Sequence, residues 1–270
     1  MVATDRVFAG SIPEIYDKLL VPLIFDPYAA DIAERLVKLN PRSVLETAAG
    51  TGALTRAMAT RLAAGAEITA TDLNQPMLER ARERTPDDKR IKWQQADALA
   101  LPFDDNMFDA AVCQFGVMFF PDKVKGYKET RRVLKPGSTF LFSAWDRIAE
   151  NAFVNVINDT LAGLFPNDPP AFMARTPHGY HYVDMIGSEL RAAGFISVKV
   201  ETLQHMAKAS SPREVATAYC QGTPLRSEIE ARDSSGLERV TALVAEALAA
   251  KFGGGAVEGR ISAHVVTASC

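Results

Sequence analysis

The sequence predicts an α/β protein built on a doubly wound, mostly parallel sheet. Three observations carry this. From residue 42 onward, short β-rich runs alternate with stretches of helical spacing, and such alternation implies right-handed crossovers onto a parallel sheet. The run at 108–115 is mostly apolar, as expected of a strand covered on both faces. The first run leads directly into a glycine turn, "VLETAAGTGALT" at 44–55, where doubly wound sheets bind ligands.

The elements follow in order. Up to about residue 40 the pattern suits one or two helices packed on the sheet edge. Residues 43–47 read as a buried strand. Leu54, Ala57, Met58 and Leu62 then follow helical spacing, with Gly65 as a stop. A second strand spans 67–72. Asn74 can cap the next helix, with Pro76 in its first turn and Met77, Leu78 and Ala81 on its apolar side. Strands are expected at 91–96, 108–115 and 139–145, with a helix through Val124, Tyr127 and Leu134 that ends before Lys135-Pro136-Gly137. Asp184 can cap a helix carrying Ile186, Leu190 and Ala193, stopped by Gly194. Residues 196–203 form a strand, 211–252 two helical patterns, and 261–268 a last strand.

The chain has 270 residues, with 47% hydrophobic and 23% charged residues, an ordinary globular balance. A net charge of −3 argues against a nucleic-acid surface, which needs clustered Lys and Arg. The three cysteines, Cys113, Cys220 and Cys270, share no metal-site spacing. No apolar run is long enough to span a bilayer. The expectation is a soluble, cytoplasmic protein without a resident metal, without membrane insertion and without a nucleic-acid partner.

Gly50 and Gly52 lack Cβ atoms, so a ligand can approach the backbone. The helix that follows points free N–H groups at the same place. Asp72 ends the second strand twenty residues after Gly52, where a carboxylate can accept hydrogen bonds from both hydroxyls of a ribose. Together these favour a nucleoside ligand. A dinucleotide site usually carries a third glycine where this chain has Thr55. A second acid, Asp97, ends the third strand, placed to meet the exocyclic amine of adenine while the Ala98 N–H meets the ring.

At this point the sequence resembles a known family. The stretch 46–52, "ETAAGTG", is similar to the first motif of class I S-adenosylmethionine-dependent methyltransferases. "ATDLNQPML" resembles their ribose-holding segment, "QADALALPFDDNMFDAAVCQFGVMFFPD" their adenine-site and fourth-strand segments, and "RRVLKPGSTFLFSAW" the helix-to-fifth-strand segment of the ubiquinone/menaquinone-biosynthesis subgroup. The resemblance is strong over about 42–146 and weaker through "LRAAGFISVKVE". It implies a seven-stranded sheet with an antiparallel last strand and a helical insertion.

It also implies roles. Glu46 would orient the methionine ammonium of S-adenosylmethionine. The segment Ala48, Ala49, Gly50, Thr51 and Gly52 would line the methionine and ribose. Asp72 would hold the ribose, Leu73 and Met77 would pack on the adenine, and Asp97 and Ala98 would bind its edge. Gln114 and Phe115 would face the methionyl part and the acceptor. Tyr16 resembles an aromatic found near the cofactor. Ala48 stands where the family commonly has glycine, and should allow cofactor approach only if its φ is negative.

The implied reaction is in-line methyl transfer to a small, partly apolar acceptor, leaving S-adenosylhomocysteine. His178 and His181, in "TPHGYHYVD", are candidate bases. The chain reads as one domain, 1–270: N-terminal helices at 1–41, a cofactor-binding core at 42–146, and acceptor-site or lid insertions at 146–182 and 205–260. Two alternatives share the glycine turn. One is an NAD(P)-dependent oxidoreductase, disfavoured by Thr55 and by the lack of a Tyr-x-x-x-Lys pair after the fifth strand. The other is a non-catalytic, methyltransferase-like binding subunit.

Overall fold

The computed structural model describes residues 3–85 and 87–270. Its strands are β1 (Ser43–Glu46), β2 (Glu67–Asp72), β3 (Ile91–Gln95), β4 (Phe108–Gln114), β5 (Leu134–Trp145), β6 (Ser197–Ala209) and β7 (Val257–Ser269). They form one sheet in the order β3-β2-β1-β4-β5-β7-β6. β1 to β5 pair in parallel, and β7 runs antiparallel to β5. The fold class is the one the sequence predicts. Strand order reverses between β1 and β4, which sit side by side while the chain visits β2 and β3 on the other flank. That switch point leaves an opening beyond their carboxyl ends.

The helices are α1 (Ile12–Ile15), α2 (Asp26–Leu39), α3 (Ala53–Ala59), α4 (Gln75–Arg84), α5 (Lys123–Val133), α6 (Ala152–Leu164), α7 (Phe172–Arg175), α8 (Val183–Ala192), α9 (Pro212–Gln221), α10 (Leu225–Arg232) and α11 (Leu237–Phe252), with a π-helical stretch at Tyr16–Phe25. The chain separates into two compact units.

The first unit comprises 26–145, 180–203 and 263–270. Its centre is β4 and β5, whose Val112, Cys113, Phe140, Phe142 and Ala144 are fully buried. Strands enclosed on both faces need apolar residues at every position, which explains the uninterrupted run at 110–113. β3, at the sheet edge, alternates half-buried and exposed residues instead. Tyr28 and Arg35 on α2 reach β6, the opposite edge strand. The Tyr28 hydroxyl donates to the Leu203 carbonyl (3.1 Å) and the Arg35 guanidinium pairs with Glu201 (2.6 Å).

The second unit comprises residues up to 25, 146–179 and 204–262. α9 and α11 bury Val215, Ala218, Val240, Val244 and Leu248. Phe153 of α6 meets Phe252 of α11 edge to face at 5.1 Å. Arg175 ties three distant segments together. Its guanidinium binds both Asp5 oxygens (3.0 and 2.5 Å) and Glu228 (2.6 Å), while the Thr176 hydroxyl adds a bond to Asp5 (2.7 Å).

Several boundaries differ from expectation. β5 starts at Leu134, β6 ends at Ala209 and β7 starts at Val257, each longer than its apolar core, because pairing carries strands past the residues that bury well. Three helices, not two, connect β6 to β7, since Pro224 interrupts the first pattern. α8 begins at Val183, so Asp184 sits inside its first turn and Tyr182 is the N-cap. The Asn74 side chain caps nothing; its own N–H is bound by Asp72 (2.8 Å).

Asp5 is 1% exposed, so removing its cation leaves a buried, uncompensated charge. Arg175→Ala is expected to lower stability by about 3–5 kcal/mol, read as the shift in urea unfolding midpoint. A change below about 1 kcal/mol would show that the cluster does not hold the unit together.

Candidate functional site

The site is built where β1 turns into α3. β1 delivers Glu46 to the carboxyl edge, and the chain reverses through 47–52. Within six residues three take left-handed angles: Ala48 (φ 53), Gly50 (φ 57) and Gly52 (φ 80). Glycine adopts these freely, alanine does not. The condition placed on Ala48, a negative φ, is therefore not met. The reason lies on the neighbouring strand. A Cβ built on Gly116, just beyond β4, would collide with the Ala48 methyl and lie 2.6 Å from Cys113 Sγ. The bare Gly116 gives the Ala48 methyl its place. Phe115, one residue earlier, is also left-handed (φ 51), an outlier for a bulky residue. Its N–H donates to Ser143 Oγ (3.1 Å) and its ring stacks on Trp145 at 3.9 Å and 10°, with Tyr28 edge-on at 5.2 Å. Strained residues thus end both strands that flank the switch point, a pattern common at ligand sites.

The two glycines differ. A Cβ on Gly52 would press at 3.2 Å on Ala81 and Trp93, so packing adds to what its left-handed φ already demands. A Cβ on Gly50 would meet only the Met77 Cε, at an ordinary 3.6 Å. Met77 is buried beneath this glycine, and supports the loop from below. Leu73, by contrast, is 41% exposed beside the buried Asp72.

Asp72 holds the loop. Its Oδ2 accepts from the Gly50 N–H (2.8 Å) and its Oδ1 from the Asn74 N–H (2.8 Å). Burial raises its pKa, against those N–H groups, which favour the anion. Glu46 is 1% exposed, and Thr55 Oγ1 donates to it at 2.5 Å. Burial pushes its pKa up to about 8, opposed by the Thr55 bond and the charge of Arg56 and reinforced by Asp72. Among the described residues the buried Thr51 hydroxyl has no hydrogen-bond partner. Asp97 is exposed; its Oδ1 accepts from the Leu99 N–H (2.9 Å), closing a turn that includes Ala98. Gln114 ends β4.

The remaining candidates are dispersed. Tyr16 lies in the second unit, stacked on Phe25 at 5.1 Å and edge-on to Phe8. His178 belongs to the same unit and is buried. Its Nδ1 is 2.7 Å from the Asp146 carbonyl. A carbonyl only accepts, so Nδ1 carries a proton. His181 lies in the first unit, half-buried, its ring 4.1 Å from that of Tyr182. Its carbonyl accepts from His264 Nε2 (3.1 Å). No group of three or more His, Cys, Asp or Glu that could hold a metal occurs among the described residues, and no helix among them is long and apolar enough to cross a membrane.

Sequence reasoning missed two members. Thr55 reads in the sequence as a missing glycine, yet its hydroxyl is the partner of Glu46; the signal is a hydroxyl nine residues past a strand-end acid, in the first turn of the following helix. Gly116 gave no signal by itself, because its need arises from Ala48 on another strand.

The sequence profile of a methyltransferase domain matches residues 45–142. Among curated proteins, demethylmenaquinone methyltransferase from Clavibacter sepedonicus is 33% identical over 169 residues, covering 59% of this chain and 68% of that protein. Ubiquinone/menaquinone biosynthesis C-methyltransferase from Idiomarina loihiensis is 29% identical over 172 residues, with the same shares. Among solved structures, Haemonchus contortus phosphoethanolamine N-methyltransferase 2, in complex with phosphomonomethylethanolamine and S-adenosylhomocysteine, superposes with a TM-score of 0.61 at 18% identity, covering 100% of this chain and 61% of that one. At that identity the likeness shows the fold alone.

Ala48 tests the strain. Ala48→Gly removes a left-handed penalty of about 1–2 kcal/mol and adds about 0.5–1 kcal/mol of chain entropy. The variant is expected to be slightly more stable than wild type by thermal unfolding; a clear loss would mean the methyl packing on Gly116 outweighs the backbone.

Proposed function

The chain belongs to the class I S-adenosylmethionine-dependent methyltransferases of the ubiquinone/menaquinone type, and on that premise we propose how its site works and which acceptor it takes. It transfers a methyl group from S-adenosylmethionine to a small molecule. The oxidoreductase reading falls away, since Thr55 serves Glu46 inside the turn where a dinucleotide would need close approach.

The residues suit this cofactor on three counts. Glu46 is a buried acid with no cation bonded to it, and the cofactor carries an ammonium group. Leu73 leaves an apolar surface open beside Asp72, suited to a purine face. The Thr51 hydroxyl lacks a partner inside the loop. Bound there, the cofactor supplies a methyl group on positively charged sulfur. We assign Asp72 to the ribose hydroxyls, through the lone pairs that its bonds to the Gly50 N–H and to the Asn74 backbone and side-chain N–H groups leave over, and Leu73 to the adenine face. Asp97 and Ala98 are assigned to the adenine edge, and Gln114 and Phe115 to the methionyl end. The protein's remaining work is alignment and exclusion of water, which contributes up to roughly 7–11 kcal/mol.

For the acceptor we propose a small, partly apolar molecule with an electron-rich ring carbon, a quinol. The relatives named for demethylmenaquinone and for C-methylation support this class. Taking a proton from such an acceptor would raise its nucleophilicity, and His178, with Nδ1 committed to Asp146, is the better-defined base. The stretches 146–182 and 205–260, beyond the matched 45–142, are proposed to select the acceptor.

The observation that carries the reading is the Asp72–Gly50 lock beneath a strained loop at the switch point. Its test is turnover with S-adenosylmethionine and 1,4-dihydroxynaphthalene. S-Adenosylhomocysteine and a ring-methylated product are expected; cofactor turnover with other acceptor classes only would exclude the quinol. Asp72→Asn keeps the volume, removes the charge and sets an amide NH2 against one of the two backbone N–H donors. The loss of a charge-assisted bond, about 1.5–3 kcal/mol, should weaken cofactor binding at least roughly tenfold by calorimetry. Unchanged affinity would remove Asp72 from the ribose. Replacing 211–252 by a Gly/Ser linker should preserve cofactor binding and abolish transfer; retained transfer would place selectivity elsewhere.

A further inference from the structure

Glu46 is a buried carboxyl that the protein itself never neutralises. Among the described residues its side chain has one hydrogen-bond partner, the Thr55 hydroxyl (2.5 Å), and no ion pair. The charged and titratable groups around it are few. From α3, Arg56 faces the loop but gives its Nη1 to the Thr51 carbonyl (2.6 Å). From β2 comes Asp72, itself an acid, whose two oxygens take backbone N–H groups. From β4 comes the Cys113 thiol, buried, with its pKa pushed up to about 12 and Glu46 among the causes. A carboxylate removed from water without a cation is costly. A hydroxyl partner does not prevent protonation, because it can accept from a carboxylic acid as well as donate to a carboxylate. The two acids differ in company: Asp72 accepts backbone N–H groups that oppose the upward push of burial, whereas Glu46 has only the Thr55 hydroxyl.

We propose that Glu46 carries a proton in the empty site and releases it to solvent when the cofactor's ammonium group arrives, so that cofactor binding is coupled to the loss of one proton. This rests on the reading of the loop as the S-adenosylmethionine site. The balance is simple: carboxylic acid plus ligand ammonium gives a carboxylate–ammonium pair and a solvated proton. The pair then supplies the cation that Glu46 lacked. Burial places the ligand-free titration at about 8, so at neutral pH the acid form dominates. Two consequences have definite signs. Apparent affinity rises with pH, by roughly tenfold per unit at most, and levels off toward about 8, where Glu46 is already losing its proton without ligand. Without ligand, the folded state holds a proton that the unfolded chain has lost above about pH 4.5, so stability falls as pH rises through that window toward 8.

The experiment is calorimetric titration of the full chain with S-adenosylhomocysteine at pH 6.5, in buffers of different ionisation enthalpy. That ligand keeps the amino-acid part and cannot turn over. Close to one proton is expected to leave per ligand bound. 5′-Methylthioadenosine, which lacks the amino-acid part, should bind with no release. Glu46→Gln should bind S-adenosylhomocysteine without release, and its melting temperature should gain on wild type as pH rises from 6 to 8. Release below about 0.2 protons with binding intact would overturn the coupling, as would release that persists in Glu46→Gln. Equal release with 5′-methylthioadenosine would assign the proton to another group, and that arm needs no variant. Failure of wild type to bind S-adenosylhomocysteine at all would instead overturn the cofactor reading, and the proposal with it.

Discussion

Everything at the carboxyl edge of the sheet depends on a reversal at 47–52 that ordinary residues resist. Left-handed angles at positions 48, 50 and 52 bring the chain back within one turn, and the loop stays there because its polar atoms are tied on both sides. Thr47 N–H reaches Val112 of β4 (3.0 Å), Ala49 N–H reaches Thr71 of β2 (2.9 Å), and Gly50 N–H reaches the Asp72 carboxylate. The parallel pairing of β1 with β2 and β4 supplies those anchors. Strain at Ala48 and Phe115 is tolerable only because the two neighbouring strands over-determine the geometry.

The parts of this arrangement that are legible in the sequence are those encoded by neighbours along the chain. Apolar runs located all seven strands, and Gly50, Gly52 and Asp72 marked the switch-point turn. What escaped depends on contacts distant in sequence. Ala48 looks like a harmless replacement for glycine until Gly116 is placed against it. Met77 shows the apolar spacing of a helix face, which does not reveal that its end lies under Gly50. The extra residues of β5, β6 and β7 carry no continuous apolar signal, because ladder pairing asks only for backbone. The division into two units unites residues near 5, 175 and 228 through Arg175, and no local pattern announces such a cluster.

Two acids placed side by side in a low-dielectric turn would oppose folding if both were ionised. The structure gives them unequal company. Asp72 receives backbone dipoles and Glu46 a hydroxyl. Thr55 is central here, since a glycine at its position would leave Glu46 buried without any partner. The substitution that weakens a dinucleotide reading is thus the one that makes a buried glutamate tolerable.

The same comparison bears on which ligand charge this glycine turn suits. A helix N-terminus after a glycine-rich turn ordinarily attracts phosphate through free N–H groups and the helix dipole. Here the Gly50 N–H is held by Asp72 and the Gly52 N–H by the Ala49 carbonyl (3.0 Å), so part of the anion cradle is already filled. Asp72 and Glu46 then place acids where a pyrophosphate would have to sit. A phosphate entering this turn would find acids and no cation to pair with, whereas a ligand bearing an ammonium group would bring the cation that Glu46 lacks. The sign of the charge at the turn, more than the count of glycines, separates the two ligand classes on a shared backbone plan.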